Sequence, residues 1–146
     1  MANLVSSPRA KGILVEQVPP KPCSLSALPE GSEVLRLPRC EQVALQSLFD
    51  NDSDLYLAFR DACIEQFVHD FQLAAALLVA QQDRAAFSRL AHSLKGVLNT
   101  LGHTEISPLA HALQLEAERA DWPELQRLWS ALRVRMVAAF GLDALA

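Results

Sequence analysis

Between Asp83 and Gly102 the large apolar residues of this chain gather on one side of a helix and leave the other side bare. Turn each residue by roughly 100° and set His92 at zero. Phe87, Leu90, Leu94, Val97, Leu98 and Leu101 then fall between about 140° and 240°, a single buried stripe. Ala85, Ser88, Arg89, Lys95, Gly96 and Asn99 fall within about 60° of the histidine. A stripe this uninterrupted requires an amphipathic helix with one face in a core. Asp83 is placed to cap its start, and Gly102 to end it.

The same periodicity recurs in three further stretches. From a cap at Asn51 or Asp52 to about Gln82, Tyr56, Phe59, Cys63, Phe67, Ala74 and Leu78 follow helical spacing. Glu105 through Ala120 is the next, with Pro108 in its first turn and Ile106, Leu109, Leu113 and Ala117 inward; Leu115 points out. Asp121 caps the last, where Leu125, Leu128, Trp129, Leu132, Met136 and Phe140 repeat at three- and four-residue steps. A short helix from Glu41 to Phe49, resting on Val43, Leu45 and Leu48, precedes them. The sequence thus predicts an all-α fold: an antiparallel up-down four-helix bundle with a short extra N-terminal helix. Residues 1–40 hold six of the eight prolines and read as a largely irregular proline-rich tail; residues 41–146 read as the bundle. Within the tail, Ile13-Leu14-Val15 offers a short strand-like patch or a segment to dock on the bundle.

The bare face carries the chemistry. His92 stands at its centre, and an unperturbed imidazole near neutral pH is a nucleophile. Lys95 lies one turn on, placed to neutralise a phosphoryl group as a mobile point charge. Gly96 is costly in a helix interior, by about 1 kcal/mol relative to alanine. A close approach by a partner to the imidazole accounts for it.

These residues carry a resemblance. Ala91-His92-Ser93-Leu94-Lys95-Gly96, then Gly102, Ile106 and Leu109, resembles the signature of histidine-containing phosphotransfer (HPt) domains, over roughly residues 49–140. Two positions depart from the pattern: Gln114 stands where many members carry a glutamate, and His103 directly follows the second glycine. The resemblance implies a helical bundle whose His92 takes a phosphoryl group from a receiver-domain aspartate and passes it to another receiver. Lys95 assists, and Gly96, Arg89, Ser88 and Asn99 form the receiver docking face. The partners it implies are the receiver domains of a hybrid sensor kinase and of a response regulator. Magnesium belongs to the receiver, and the chain needs no cofactor of its own. The competing reading is an adaptor that uses the same face to bind a kinase or regulator without chemistry; an adaptor has no need of the nucleophile.

Other classes find little support. The net charge of −4 is spread without a basic stripe, against nucleic acid. Residues 1–40 carry five cations against three anions and the remainder eight against fourteen. Between positions 50 and 83 seven carboxylates face only Arg60, which reads as a solvated acidic face. No run of 18 or more apolar residues suggests a membrane span, and no apolar stretch of signal-peptide length opens the chain. Cys23, Cys40 and Cys63 are an odd number without metal spacing, consistent with reduced thiols and a cytoplasmic setting. His69, His103 and His111 form no Glu-x-x-His or His-x-x-x-His pair for a metal, and no phosphate-cradling glycine loop or nucleophile elbow appears. The expectation is a monomeric phosphocarrier, not an enzyme.

Overall fold

The computed structural model describes residues 33–142. The chain divides into two units, Met1–Pro38 and Arg39–Ala146. In the first, Glu33 to Leu35 form a helical turn closed by Arg36 N donating to Glu33 O and Leu37 N to Val34 O, each at 3.1 Å. The proline content of 1–40 predicts irregular chain there, but no proline interrupts positions 30 to 37. The rest of the proline-rich stretch, with its Ile13-Leu14-Val15 patch, lies outside the described residues.

The second unit is built from five helices: α1 (Arg39–Leu48), α2 (Ser53–Ala75), α3 (Arg84–Leu101), α4 (Ser107–Glu116) and α5 (Trp122–Phe140). Helices α2 to α5 form an antiparallel four-helix bundle, with no strand among the described residues. Asp52, Asp83 and Asp121 each cap a helix, accepting from the backbone N–H three residues on at 3.0 Å. The core is Tyr56, Phe67, Phe87, Leu94, Leu98, Leu101, Leu113, Leu125, Leu132 and Met136, each almost wholly buried. Trp129 meets Phe71 edge-on at 5.4 Å between ring centroids and Phe87 at 6.4 Å, joining α2, α3 and α5.

Helix α2 does not run regularly to Gln82. Its last turn, Ala76–Gln81, is π-helical, and Gln82 turns the chain with φ 51°. The wider turn lets the consecutive residues Leu77 and Leu78 both bury. By length and hydropathy Ser53–Gln81 would suffice to cross a membrane. Its buried stripe of Tyr56, Cys63, Phe67, Phe71 and Ala74 instead fills the bundle, and Asp54, Asp61 and Glu65 lie exposed on its other side. One member of the expected acidic face departs from it. Asp70 is buried, with Gln66 Nε2 donating to its carboxylate at 3.1 Å, and burial pushes its carboxyl up despite that bond.

Helix α4 is shorter than the expected 105–120. The chain after Gly102 makes a turn in which Ser107 N donates to His103 O at 3.0 Å, so regular helix starts at Ser107 with Pro108 in its first turn. At the other end Arg84 reaches across from α3 and takes the carbonyls of Ala117 (3.0 Å) and Ala120 (2.5 Å), withdrawing them from further helix. With this start Ala110 is buried, and Leu109, expected inward, is only half-buried. Leu115 is exposed as its position predicts.

Helix α1 departs most from the sequence reading. Val43 and Leu48, expected as its apolar contacts, are exposed; Ala44 and Leu45 are buried, and so is Glu41. The Glu41 carboxylate accepts from Arg60 Nε at 2.6 Å, Tyr56 OH at 3.0 Å and His103 Nε2 at 2.7 Å. Tyr56 OH also lies 2.7 Å from the Leu101 carbonyl. Burial alone would raise the Glu41 carboxyl; the hydrogen bonds from His103, Arg60 and Tyr56 and the charge of Arg60 outweigh it and hold the carboxyl below its ordinary value. Three donors drawn from α2 and the turn after α3 therefore rotate α1 so that a glutamate faces in and two apolar residues face out.

Candidate functional site

The site is built on α3. Its end is a Schellman turn: Gly102 N donates to Asn99 O at 3.1 Å and His103 N to Leu98 O at 2.8 Å, with Gly102 at φ 105°. The same glycine carries a second duty. A Cβ there would collide with the Cys40 carbonyl oxygen and the Ala44 methyl, so α1 lies directly on it.

Gly96 has opposite surroundings. A Cβ at that position meets nothing within 4 Å. Neither packing nor backbone conformation calls for a glycine here; what remains is the open space it leaves beside the histidine. His92, Arg89, Gly96 and Asn99 are exposed, and Ser88 and Lys95 are half-buried on the same side of α3. The structure thus brings together all six residues singled out in the sequence. Neither His92 nor the Lys95 side chain makes a hydrogen bond or ion pair among the described residues, so both are free to reach a ligand. The backbone beneath them is held: Ser107 Oγ lies 3.2 Å from the Lys95 carbonyl, and Thr100 Oγ1 is 2.9 Å from the Gly96 carbonyl.

Two grooves flank this face. One, of about 160 Å³, lies between α2 and α3 and is lined by Phe59, Cys63, Gln66, Asp70, Ser93 and Val97. The other, of about 300 Å³, runs between α1 and the end of α3, where Asn99 meets Val43, Leu48 and Thr104. Sequence periodicity missed both, because they depend on how neighbouring helices dock.

The family model of the Hpt domain matches residues 55–145. The chain belongs to the Hpt domain family. Hpt domains are helical bundles that carry phosphoryl groups in phosphorelays and interact with the receiver domains of two-component systems; they are carriers rather than catalysts. A search of curated proteins and of solved structures finds no match to the chain.

Within this Hpt domain the other histidines divide. His103, one of the two departures from the family pattern, is buried in the Glu41 network, so its place is explained by structure. Its Nδ1 lies 3.7 Å from Cys40 Sγ, a cysteine–histidine pairing that spacing gave no means to find. Burial and the neighbouring Glu41 charge push the Cys40 thiol up, which opposes a thiolate nucleophile. Gln114, the other departure, has a buried side-chain oxygen without a hydrogen-bond partner among the described residues. No group of three or more metal-type ligands occurs among the described residues.

Proposed function

We propose that this chain is the phosphocarrier of a multistep phosphorelay, with His92 as the residue that holds the phosphoryl group. The observation that carries this reading is the pairing of an exposed His92 with an open Gly96 four residues on. In the accepting step a ring nitrogen of neutral His92 attacks phosphorus; the bond to the receiver's aspartate oxygen breaks as the bond to nitrogen forms, and the carboxylate leaves. Lys95 balances the charge brought to the ring. The reverse step on a second receiver completes the relay, one receiver belonging to a hybrid sensor kinase and the other to a response regulator.

Arg89, Ser88, Gly96 and Asn99 form the docking face, and the apolar residues Val43 and Leu48 extend it onto α1. Both line the groove that Asn99 borders, which joins them to the histidine face as one surface a receiver can cover. The receiver supplies magnesium and the acidic pocket, so the bundle needs no cofactor of its own; in this reading it acts as a monomer in the cytoplasm. Incubation with a phosphorylated receiver tests the reading: acid-labile, base-stable phosphate on the chain is the expected result. Stable receiver binding without any such phosphate would make it an adaptor instead.

A further inference from the structure

Two sets of contacts show how α4 runs against α3. Ser107 Oγ meets the Lys95 carbonyl at 3.2 Å, and the long Arg84 side chain reaches the carbonyls of both Ala117 and Ala120. The short serine side chain sets Lys95 level with Ser107, and the arginine contacts put the start of α3 beside the end of α4, so the helices run antiparallel. His92, three residues before Lys95, is therefore level with Ala110, three residues after Ser107. Ala110 is buried; the next residue, His111, is exposed. His111 thus lies about 1.5 Å along the axis from the level of His92, on the neighbouring helix.

Direction agrees with level. Ser107 faces α3, and at roughly 100° per residue His111 sits about 40° round α4 from it. Ala110 lies on the other, buried side, so His111 is turned toward solvent on the flank next to His92. Packed helix axes stand about 8–10 Å apart. Imidazoles that start this close in level on such helices border one space, into which a phosphoryl group on His92 would extend. Lys95, on the α4 side of His92, borders the same space. His111 makes no hydrogen bond or ion pair among the described residues, and a neutral imidazole always carries one N–H donor.

Building on the reading of His92 as the phosphoryl carrier, we infer that His111 is the α4 wall of the phosphoryl site and donates its ring N–H to a phosphoryl oxygen. Lys95 supplies the charge; His111 supplies a directed donor that holds the group upright on the ring. The α2 side offers an apolar groove instead, so the two flanks divide the work between receiver contact and phosphoryl positioning.

The experiment compares the full chain with its His111→Ala and His111→Gln variants, each equilibrated with one phosphorylated receiver. The share of phosphoryl on His92 should fall by about tenfold or more in His111→Ala, the loss of one hydrogen bond to a charged group. Glutamine keeps an N–H donor and should recover most of the loss. In the unaltered chain the ring N–H resonance of His111 should move on phosphorylation of His92. Melting temperatures should match, since the residue is exposed. Equal partition in all three proteins, with an unmoved His111 resonance, overturns this inference while leaving the carrier reading intact. Failure of the unaltered chain to take any phosphoryl group overturns both.

Discussion

Helix α3 is flanked by two histidine–glycine pairs with opposite characters. In the middle, His92 is exposed and Gly96 has empty space where a side chain would be. At the end, Gly102 has no room for one and His103 is buried against Glu41. The same residue types serve approach in one place and closure in the other. What separates them is the neighbouring helix: α1 lies on the second pair, and none of the described helices lies on the first.

That contrast can be broken most severely from the closed end. Glu41→Ala leaves Arg60 and His103 without their shared carboxylate and should cost about 3–5 kcal/mol in denaturant unfolding. The sign of its pH dependence follows from the lowered carboxyl. A folded-state value below the unfolded one gives stability that is present above the ordinary value of 4.5 and lost as pH falls through the folded value. The unaltered protein should therefore lose stability below about pH 4.5 more steeply than Glu41→Gln does. Parallel acid-unfolding curves would show that the network does not hold α1.

Gly102→Ala should destabilise by about 2–4 kcal/mol, combining left-handed backbone strain with the collision against α1. Gly96→Leu should act in the other direction, gaining about 0.8 kcal/mol from helix propensity at an open position. Its cost should appear only in function, as a large drop in the rate of transfer from a phosphorylated receiver. A destabilised Gly96→Leu with normal transfer would erase the distinction between the two glycines. The smallest effects on folding belong to Lys95→Ala and Arg89→Ala. Neither should shift the melting temperature measurably, and the lysine variant should slow transfer more than the arginine variant in a quench-flow assay.

Helical periodicity carried the open pair well, because exposure of His92 and its neighbours depends on one helix alone. The capping aspartates and the glycine terminus of α3 were legible for the same reason: their hydrogen bonds are local. The closed pair was not. Glu41 reads as a surface residue until Tyr56, Arg60 and His103 are brought to it from positions up to 62 residues away. Misplacing it also misplaced Val43 and Leu48, since a helix that turns one side in must turn the other out. Asp70 failed likewise, its burial being set by the packing of α2 against its neighbours. His111 was visible only as a lone histidine, because its level beside His92 follows from the register of α4.

The central claim is that His92 is the phosphoryl acceptor because it is the histidine on the open face. The most direct test is to label the full chain with a phosphorylated receiver and locate the phosphoryl group among His69, His92, His103 and His111 by mass spectrometry under non-acidic conditions, with His92→Gln alongside. Phosphate is expected on His92 alone, and the His92→Gln protein should melt like the unaltered chain and take none. Phosphate on another histidine, or undiminished labelling of His92→Gln, would contradict it.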